Sequence, residues 1–309
     1  MRIMRTDILA AGLLSVLTMA FAGTGHAVES GSSYLTSAPT SAGIPNWGTG
    51  WSQPAGETGG NYVTGWNYVG QINGDNSATY LGDGWVLTAA HVGAGSFDLN
   101  GNAYAEIAGS AQSISNSSGI ADLTLFRINT TSTTNGTVLG LPQLTLSTSD
   151  PIAFAFGVSG SGVVMVGYGG GQGETWGFNT VTQINQPISL QGASYVSNDF
   201  FTALGTTTYI NPGGSGSQSV TNNAQLVGGD SGGGDFIFNP ATGQWELAGI
   251  NEAVGTTNQG QYVSAFVQLD TYASQIEADM SPVPLPASLW PMLLGLGGLA
   301  ALSYRREAA

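Results

Sequence analysis

The sequence contains no cysteine and no lysine, and only two histidines, His26 and His91. The first absence excludes disulfide staples, thiol nucleophiles and cysteine-bound zinc. The second leaves five arginines as the only side chains permanently cationic, against 19 acids, for a formal net charge of −14. A chain this acidic is not built to neutralise phosphates, which argues against nucleic acid or an anionic membrane surface as a partner. Charge of either sign is scarce at 8% of residues, whereas glycine fills 48 of 309 positions, well above the usual ~7%. Seven tryptophans, 11 tyrosines and 11 phenylalanines supply enough apolar bulk for a core. The glycines are therefore expected in turns and bulges between many short strands, not in a disordered tract.

Both ends read as addresses rather than as fold. Residues 1–27 carry Arg2 and Arg5, an apolar run from Ile8 to about Ala22, and Gly25-His26-Ala27. That is the pattern of a secretory signal peptide cut after Ala27 by signal peptidase. Residues 28–58, rich in Ser, Gly, Pro and Thr, read as a flexible leader. At the other end, residues 283–306 combine Val283-Pro-Leu-Pro-Ala287 with an apolar stretch and the pair Arg305-Arg306. About 20 apolar residues span a bilayer, and such arginines stay on its cytoplasmic side. With both ends removed, Arg127 alone faces 17 acids, a net charge of −16. This composition suits solubility outside the cell and resistance to cleavage after basic residues alike. His91 becomes the only histidine, so any imidazole chemistry in the exported protein must use it.

Three segments carry that chemistry. Trp85-Val-Leu-Thr-Ala-Ala-His91 brings the histidine, Ala121-Asp122-Leu-Thr-Leu-Phe-Arg127 an aspartate, and Leu226-Val-Gly-Gly-Asp-Ser231-Gly-Gly-Gly234 a serine in a tight glycine loop. A serine hydroxyl is a weak nucleophile; it needs a base to take its proton and a third group to orient that base. The order of the three discriminates among the solutions. Gly229-Asp-Ser231-Gly-Gly233 also satisfies the nucleophile-elbow pattern G-x-S-x-G, but that fold requires a histidine after the serine, and none follows. The order Asp, His, Ser would need Asp75 or Asp83 ahead of His91, and neither stands in a supporting frame. The order His91, Asp122, Ser231 remains.

These segments resemble the trypsin/chymotrypsin-like serine peptidase family over about residues 60–278. Leu87-Thr-Ala-Ala-His91, Asp122-Leu-Thr-Leu-Phe126 and Gly229-Asp-Ser-Gly-Gly233 match its three motifs. Leu247-Ala-Gly-Ile250 and Gly167-Tyr-Gly169 are similar to two of its strand segments. The resemblance implies Ser231 as nucleophile, His91 as general acid/base, Asp122 as its orienter, and the backbone N–H groups of Gly229 and Ser231 as the oxyanion hole, with no cofactor or metal. It places Gln225 at the base of the primary specificity pocket and Gly260 on its wall; an uncharged Gln225 argues against cleavage after Lys or Arg. Two departures stand out. Val92 follows the histidine where the family often has cysteine, and the family's activating N-terminal sequence is missing, which leaves Asp230 without the amine it would normally pair with. The C-terminal segment is similar to PEP-CTERM sorting signals of Gram-negative bacteria, with Pro284-Leu-Pro286 in place of the usual Pro-Glu-Pro. That implies recognition by an exosortase, a transient inner-membrane anchor, and release to the cell surface or extracellular matrix.

The expected fold is all-β. Strand-like runs fall at residues 62–72, 78–81, 85–89, 123–128, 152–156, 163–168, 181–184, 236–238, 245–250 and 262–267, separated by turn residues. The family resemblance turns these into two packed six-stranded antiparallel β-barrels, residues 59–150 and 151–279, followed by a linker and sorting segment over 280–309. Tyr272, Ile276 and Met280 at i, i+4 and i+8 predict a short closing helix over 269–279. Residues 185–225 read as long loops. Asp98-Leu-Asn-Gly-Asn-Ala-Tyr-Ala-Glu106 reads as an Asn/Gly turn, with calcium ligation as the alternative. The expected function is an exported serine endopeptidase acting on proteins or peptides. The alternatives are a catalytically inactive surface or matrix binding protein on the same fold, and an esterase using the same triad.

Overall fold

Among the described residues, short apolar runs and glycine turns fold into two large antiparallel sheets, with two smaller ones beside them. The structure, a computed structural model, describes residues 36, 65–151, 162–190, 194–205, 224–239, 241–242, 244–257 and 260–281, together with short strands at 18–19, 29–30, 33–34, 207–210 and 217–220. The proposed signal peptide (apart from Thr18–Met19), most of the leader, the expected strand at 152–156 and the sorting segment lie outside the described residues. Among those described, no helix is long and apolar enough to cross a membrane.

The first sheet comprises β1 (Val69–Ile72), β2 (Asn76–Gly82), β3 (Trp85–Thr88), β4 (Phe97–Leu99), β5 (Asn102–Tyr104), β6 (Gln112–Asn116) and β7 (Gly119–Arg127). Their spatial order is β5-β4-β1-β2-β3-β7-β6. Two hairpins in it close on two-residue turns, Asp83-Gly84 and Asn100-Gly101, with φ values of 51°, 81° and 53°, 73°. Positive φ at both positions is what a type I′ turn demands, and its twist matches that of the strands it joins. The Asp98–Glu106 stretch is thus a hairpin, with Asp98 paired to Gln71 and Glu106 bridged to Ile128. That bridge, with Ile107 N–H donating to Arg127 O and Asn129 N–H to Ala105 O at 2.8 Å each, brings the chain after β5 against the end of β7. Fully buried side chains, Tyr80, Val86, Phe97 and Phe126 among them, fill the interior, each worth about 1.5–3 kcal/mol of transfer free energy.

The second sheet comprises β8 (Gly162–Gly167), β9 (Thr175–Ile188), β10 (Ser197–Ala203), β11 (Gly234–Asn239), β12 (Gln244–Thr256) and β13 (Tyr262–Gln268). Thr18–Met19 adds a seventh strand on β12, and the order is Thr18–Met19, β12, β11, β8, β9, β10, β13. β12 also pairs with β13, so six strands form a closed hydrogen-bonded ring. Its core holds Val163, Met165, Phe200, Ile237 and Phe266, with Phe200 stacked on Phe266 at 4.7 Å between ring centroids.

The expected two all-β units are present as two antiparallel sheets of seven strands each, six of which close into a ring in the second. β4 and β5 escape sequence reading because each is only three residues long, and β6 because it is largely polar, with only Ile114 buried. The expected loop at 185–225 contains the end of β9, all of β10 and the paired strands Thr207–Ile210 and Ser217–Val220. β10 was hidden because two of its inward side chains, Ser197 and Asp199, are polar. The closing helix forms as a 3₁₀ turn, Leu269–Thr271, followed by α1 (Ala273–Met280). Tyr272 and Ile276 are buried and Met280 is half-buried. A boundary between two compact units, Met1–Ile276 and Glu277–Ala309, falls within α1.

Candidate active site

Ser231 sits in the loop that leads into β11. Two turns build this loop: Asp230 N–H donates to Val227 O at 3.2 Å, and Gly233 N–H to Asp230 O at 2.9 Å. Gly232 has φ 90°, and a Cβ there would lie 2.1 Å from both Ser77 O and Thr88 Oγ1. Only glycine accepts both the conformation and the contact. Asn251, fully buried on β12, clamps the loop. Its backbone exchanges 2.9 Å bonds with Gly232 and Gly233, and its amide donates to Val166 O at 2.9 Å and Asp230 O at 3.1 Å.

Ser77 on β2 fastens the loop to the first sheet. Its N–H donates to Ser231 O at 3.0 Å and its hydroxyl to Gly229 O at 3.1 Å, while the same hydroxyl accepts Tyr168 N–H at 2.8 Å. Thr79 donates its hydroxyl to Gly232 O at 3.3 Å. Asp230, fully buried, accepts the backbone N–H of Gly169 at 3.0 Å on one oxygen and that of Val227 at 2.9 Å on the other.

His91 follows β3 in a tight turn, with Val92 N–H donating to Ala89 O at 3.0 Å. Asp122 lies on β7 within a break in the β6–β7 register between Ile120 and Thr124. This irregularity takes its N–H out of the ladder and gives it to Ser197 Oγ at 2.9 Å. The Asp122 carboxylate binds His91 twice: Oδ1 accepts the backbone N–H at 2.8 Å, and Oδ2 meets Nδ1 at 2.5 Å. Asp122 is fully buried, whereas the His91 side chain keeps 20% of its surface exposed. Burial works against the imidazolium, but the hydrogen bond to Asp122 and the charges of Asp122 and Glu252 outweigh it, so the His91 pKa is raised above its ordinary 6.5.

A third carboxyl stands beside this pair. Glu252 Oε1 accepts the Ser197 hydroxyl at 2.8 Å, and the Glu252 main-chain carbonyl accepts the Ser231 hydroxyl at 3.3 Å. Ser231, Asp122 and His91 are thus joined through Ser197 and Glu252. Among the described residues no acceptor takes the N–H of Gly229 or of Ser231. Gln225 is half-buried in the short strand Ala224–Gln225, paired with Glu29. Gly260 occupies the exposed turn between β12 and β13, its N–H donating to Thr257 O at 2.8 Å, and a Cβ there would meet nothing within 4 Å. Ser77, Ser197, Asp199 and Glu252 were not singled out from the sequence. Polar residues at buried strand positions were the available signal, and single-sequence reading takes such residues for edges and loops.

The trypsin-like peptidase domain model matches residues 76–236 of this chain. No curated protein sequence matches it. Similar solved structures include the Rv3671c protease in an inactive form, at 16% identity over 70% of this chain and 91% of that chain, with a TM-score of 0.44. The HtrA-type protease AlgW with a decapeptide shares 20% identity over 66% of this chain and 51% of that one, with a TM-score of 0.41. The MamO protease domain from Magnetospirillum magneticum shares 17% over 69% and 98%, with a TM-score of 0.39.

Proposed function

The chain belongs to the trypsin-like peptidase domain family, and from that premise we propose that it is an exported serine endopeptidase working through Ser231, His91 and Asp122. The observation that carries the reading is the doubly bonded His91–Asp122 pair. It fixes the imidazole with Nδ1–H toward the carboxylate, which leaves Nε2 as the base.

In this mechanism a peptide carbonyl enters beside Ser231. The serine hydroxyl exchanges its long bond to the Glu252 carbonyl for His91 Nε2 and attacks as its proton leaves. Asp122 stabilises the imidazolium that forms. The N–H groups of Gly229 and Ser231 receive the oxyanion; a donor of this kind is worth ~10²–10³ in kcat. His91 then returns the proton to the leaving amine, and water hydrolyses the acyl-enzyme by the same route in reverse. Gln225, neutral and half-buried, disfavours Lys or Arg before the cut.

The binding-protein alternative drew on an unpartnered Asp230. The amides of Gly169 and Val227 supply those partners, so that argument for inactivity falls away. Export, exosortase processing and delivery to the surface or matrix form part of the proposal on the strength of the terminal sequences, and so does the reading of the two sheets as its two barrels. Labelling with a fluorophosphonate probe tests the nucleophile. The wild-type chain is expected to take up the probe, and Ser231→Ala and His91→Ala are expected not to; equal labelling of all three would refute the assignment.

A further inference from the structure

We propose that Glu252 is a positioning residue for this site, held in place by one proton that it shares with Asp199. The proposal deepens the peptidase reading and rests on it for its catalytic consequence.

Glu252 on β12 is 2% exposed and Asp199 on β10 is fully buried. Their strands flank β13 on either side, Asp199 opposite Val267 and Ile250 opposite the same residue. Ser197 and Asp199 stand two apart on β10 and share one face, and the Ser197 hydroxyl donates to Glu252 Oε1 at 2.8 Å, which sets the Glu252 carboxyl beside Asp199; burial and that neighbouring carboxyl raise the Asp199 pKa. Among the described residues no N–H or hydroxyl reaches either oxygen of Asp199, or Oε2 of Glu252. Two bare carboxylates side by side in a buried site would repel and forgo all hydration. No lysine exists to offset them, and the one arginine among the described residues, Arg127, lies over the Trp85 ring. A single proton between the carboxyls resolves this: with Asp199 as its donor, Glu252 carries its charge above the value of about 7 to which burial raises it.

That charge is well placed. Glu252 Oε1 takes the Ser197 hydroxyl, whose oxygen in turn takes the Asp122 backbone N–H, while the Glu252 carbonyl holds the Ser231 hydroxyl. One residue therefore touches the nucleophile directly and the orienting acid through one serine. The titratable groups around it are His91 after β3, Asp122 on β7, Asp199 on β10 and Tyr272 ahead of α1. Of these only His91 becomes cationic, so Glu252 adds to Asp122 in favouring its protonated form.

The test uses the full chain with His26→Gln, which leaves His91 as the single imidazole for NMR titration. Glu252→Gln is expected to lower the His91 pKa by about half a unit or more. The acid limb of kcat/KM should move by the same amount, with KM little changed. Asp199→Asn supplies an amide donor to Glu252 and is expected to keep the wild-type titration. An unmoved His91 titration in Glu252→Gln overturns the proposal. Infrared difference spectra give a second readout that does not depend on that variant folding: wild type minus Asp199→Asn at neutral pH should leave a protonated-carboxyl band, the contribution of Glu174 cancelling between the two, and a blank difference overturns the shared proton. Neither readout requires turnover. If wild type cleaves no peptide, or Ser231→Ala cleaves equally, the peptidase reading fails while the titration and the spectra still decide the role of Glu252.

Discussion

The carboxylate of Asp230 accepts the backbone N–H of Gly169 at 3.0 Å, across 61 residues of sequence. With Val227 N–H on its other oxygen, this acid has the donors that its missing activating amine would have supplied. Two amides on a buried carboxylate hold the serine loop, one from the turn after β8 and one from within the loop. Asp230→Ala removes both acceptors, and each charge-assisted bond is worth about 1.5–3 kcal/mol. A loss of about 3–5 kcal/mol in unfolding free energy is expected by denaturant titration, together with a fall in kcat.

Gly232→Ala tests the close approach of the two sheets beneath the serine. The added methyl would meet Ser77 O and Thr88 Oγ1 at 2.1 Å, at a φ of 90°. Positive-φ strain alone costs of order 1–3 kcal/mol. Calorimetry is expected to show a destabilisation above about 2 kcal/mol, and a neutral substitution would mean that the loop is packed differently.

The raised His91 pKa fixes the direction of two pH effects. Burial opposes the imidazolium, and Asp122 and Glu252 favour it more strongly. The base must be neutral to act, so kcat/KM should fall as pH drops through a value above 6.5, the ordinary pKa of histidine. The stability contribution has the opposite sense: the native state holds the proton more tightly, so this increment is full below the unfolded pKa and is lost as pH rises through the folded one. Asp122→Asn should lower the His91 pKa and reduce kcat by ~10⁴. A pH–rate profile with a wild-type acid limb below the ordinary histidine value would contradict this.

Glu174 supplies a separate pH handle. Burial pushes its carboxyl up to about 9, against a smaller opposing contribution from the Tyr168 hydroxyl at 3.3 Å. The native state therefore binds a proton that the unfolded state releases near its ordinary 4.5. Unfolding free energy should decline as pH rises from about 4.5 towards 9, and Glu174→Gln should flatten that slope. Denaturation curves at pH 5, 7 and 9 (about two units apart, to bracket the slope) measure it.

The partners in the His91–Asp122 pair were more legible in the sequence than the strands that carry them. His91, Asp122 and Ser231 each stand in an unusual local frame, and a single histidine outside the terminal segments removed ambiguity. The strands carrying Trp85, Leu125, Val163 and Leu247 were visible because buried apolar residues predominate in them. β10 and β6 were not, because the first buries Ser197 and Asp199 and the second buries only Ile114. Glu252 was illegible for the same reason: a lone glutamate in a strand looks solvent-facing until the partners that keep it buried come from β10 and β7.

The measurement that bears most directly on the account is cleavage of an unbiased peptide library by the full chain and its Ser231→Ala variant, with products sequenced by mass spectrometry. The account predicts cleavage by wild type alone, with Lys and Arg depleted before the cut as a neutral Gln225 requires. Identical products from both chains, or none from wild type, would contradict it.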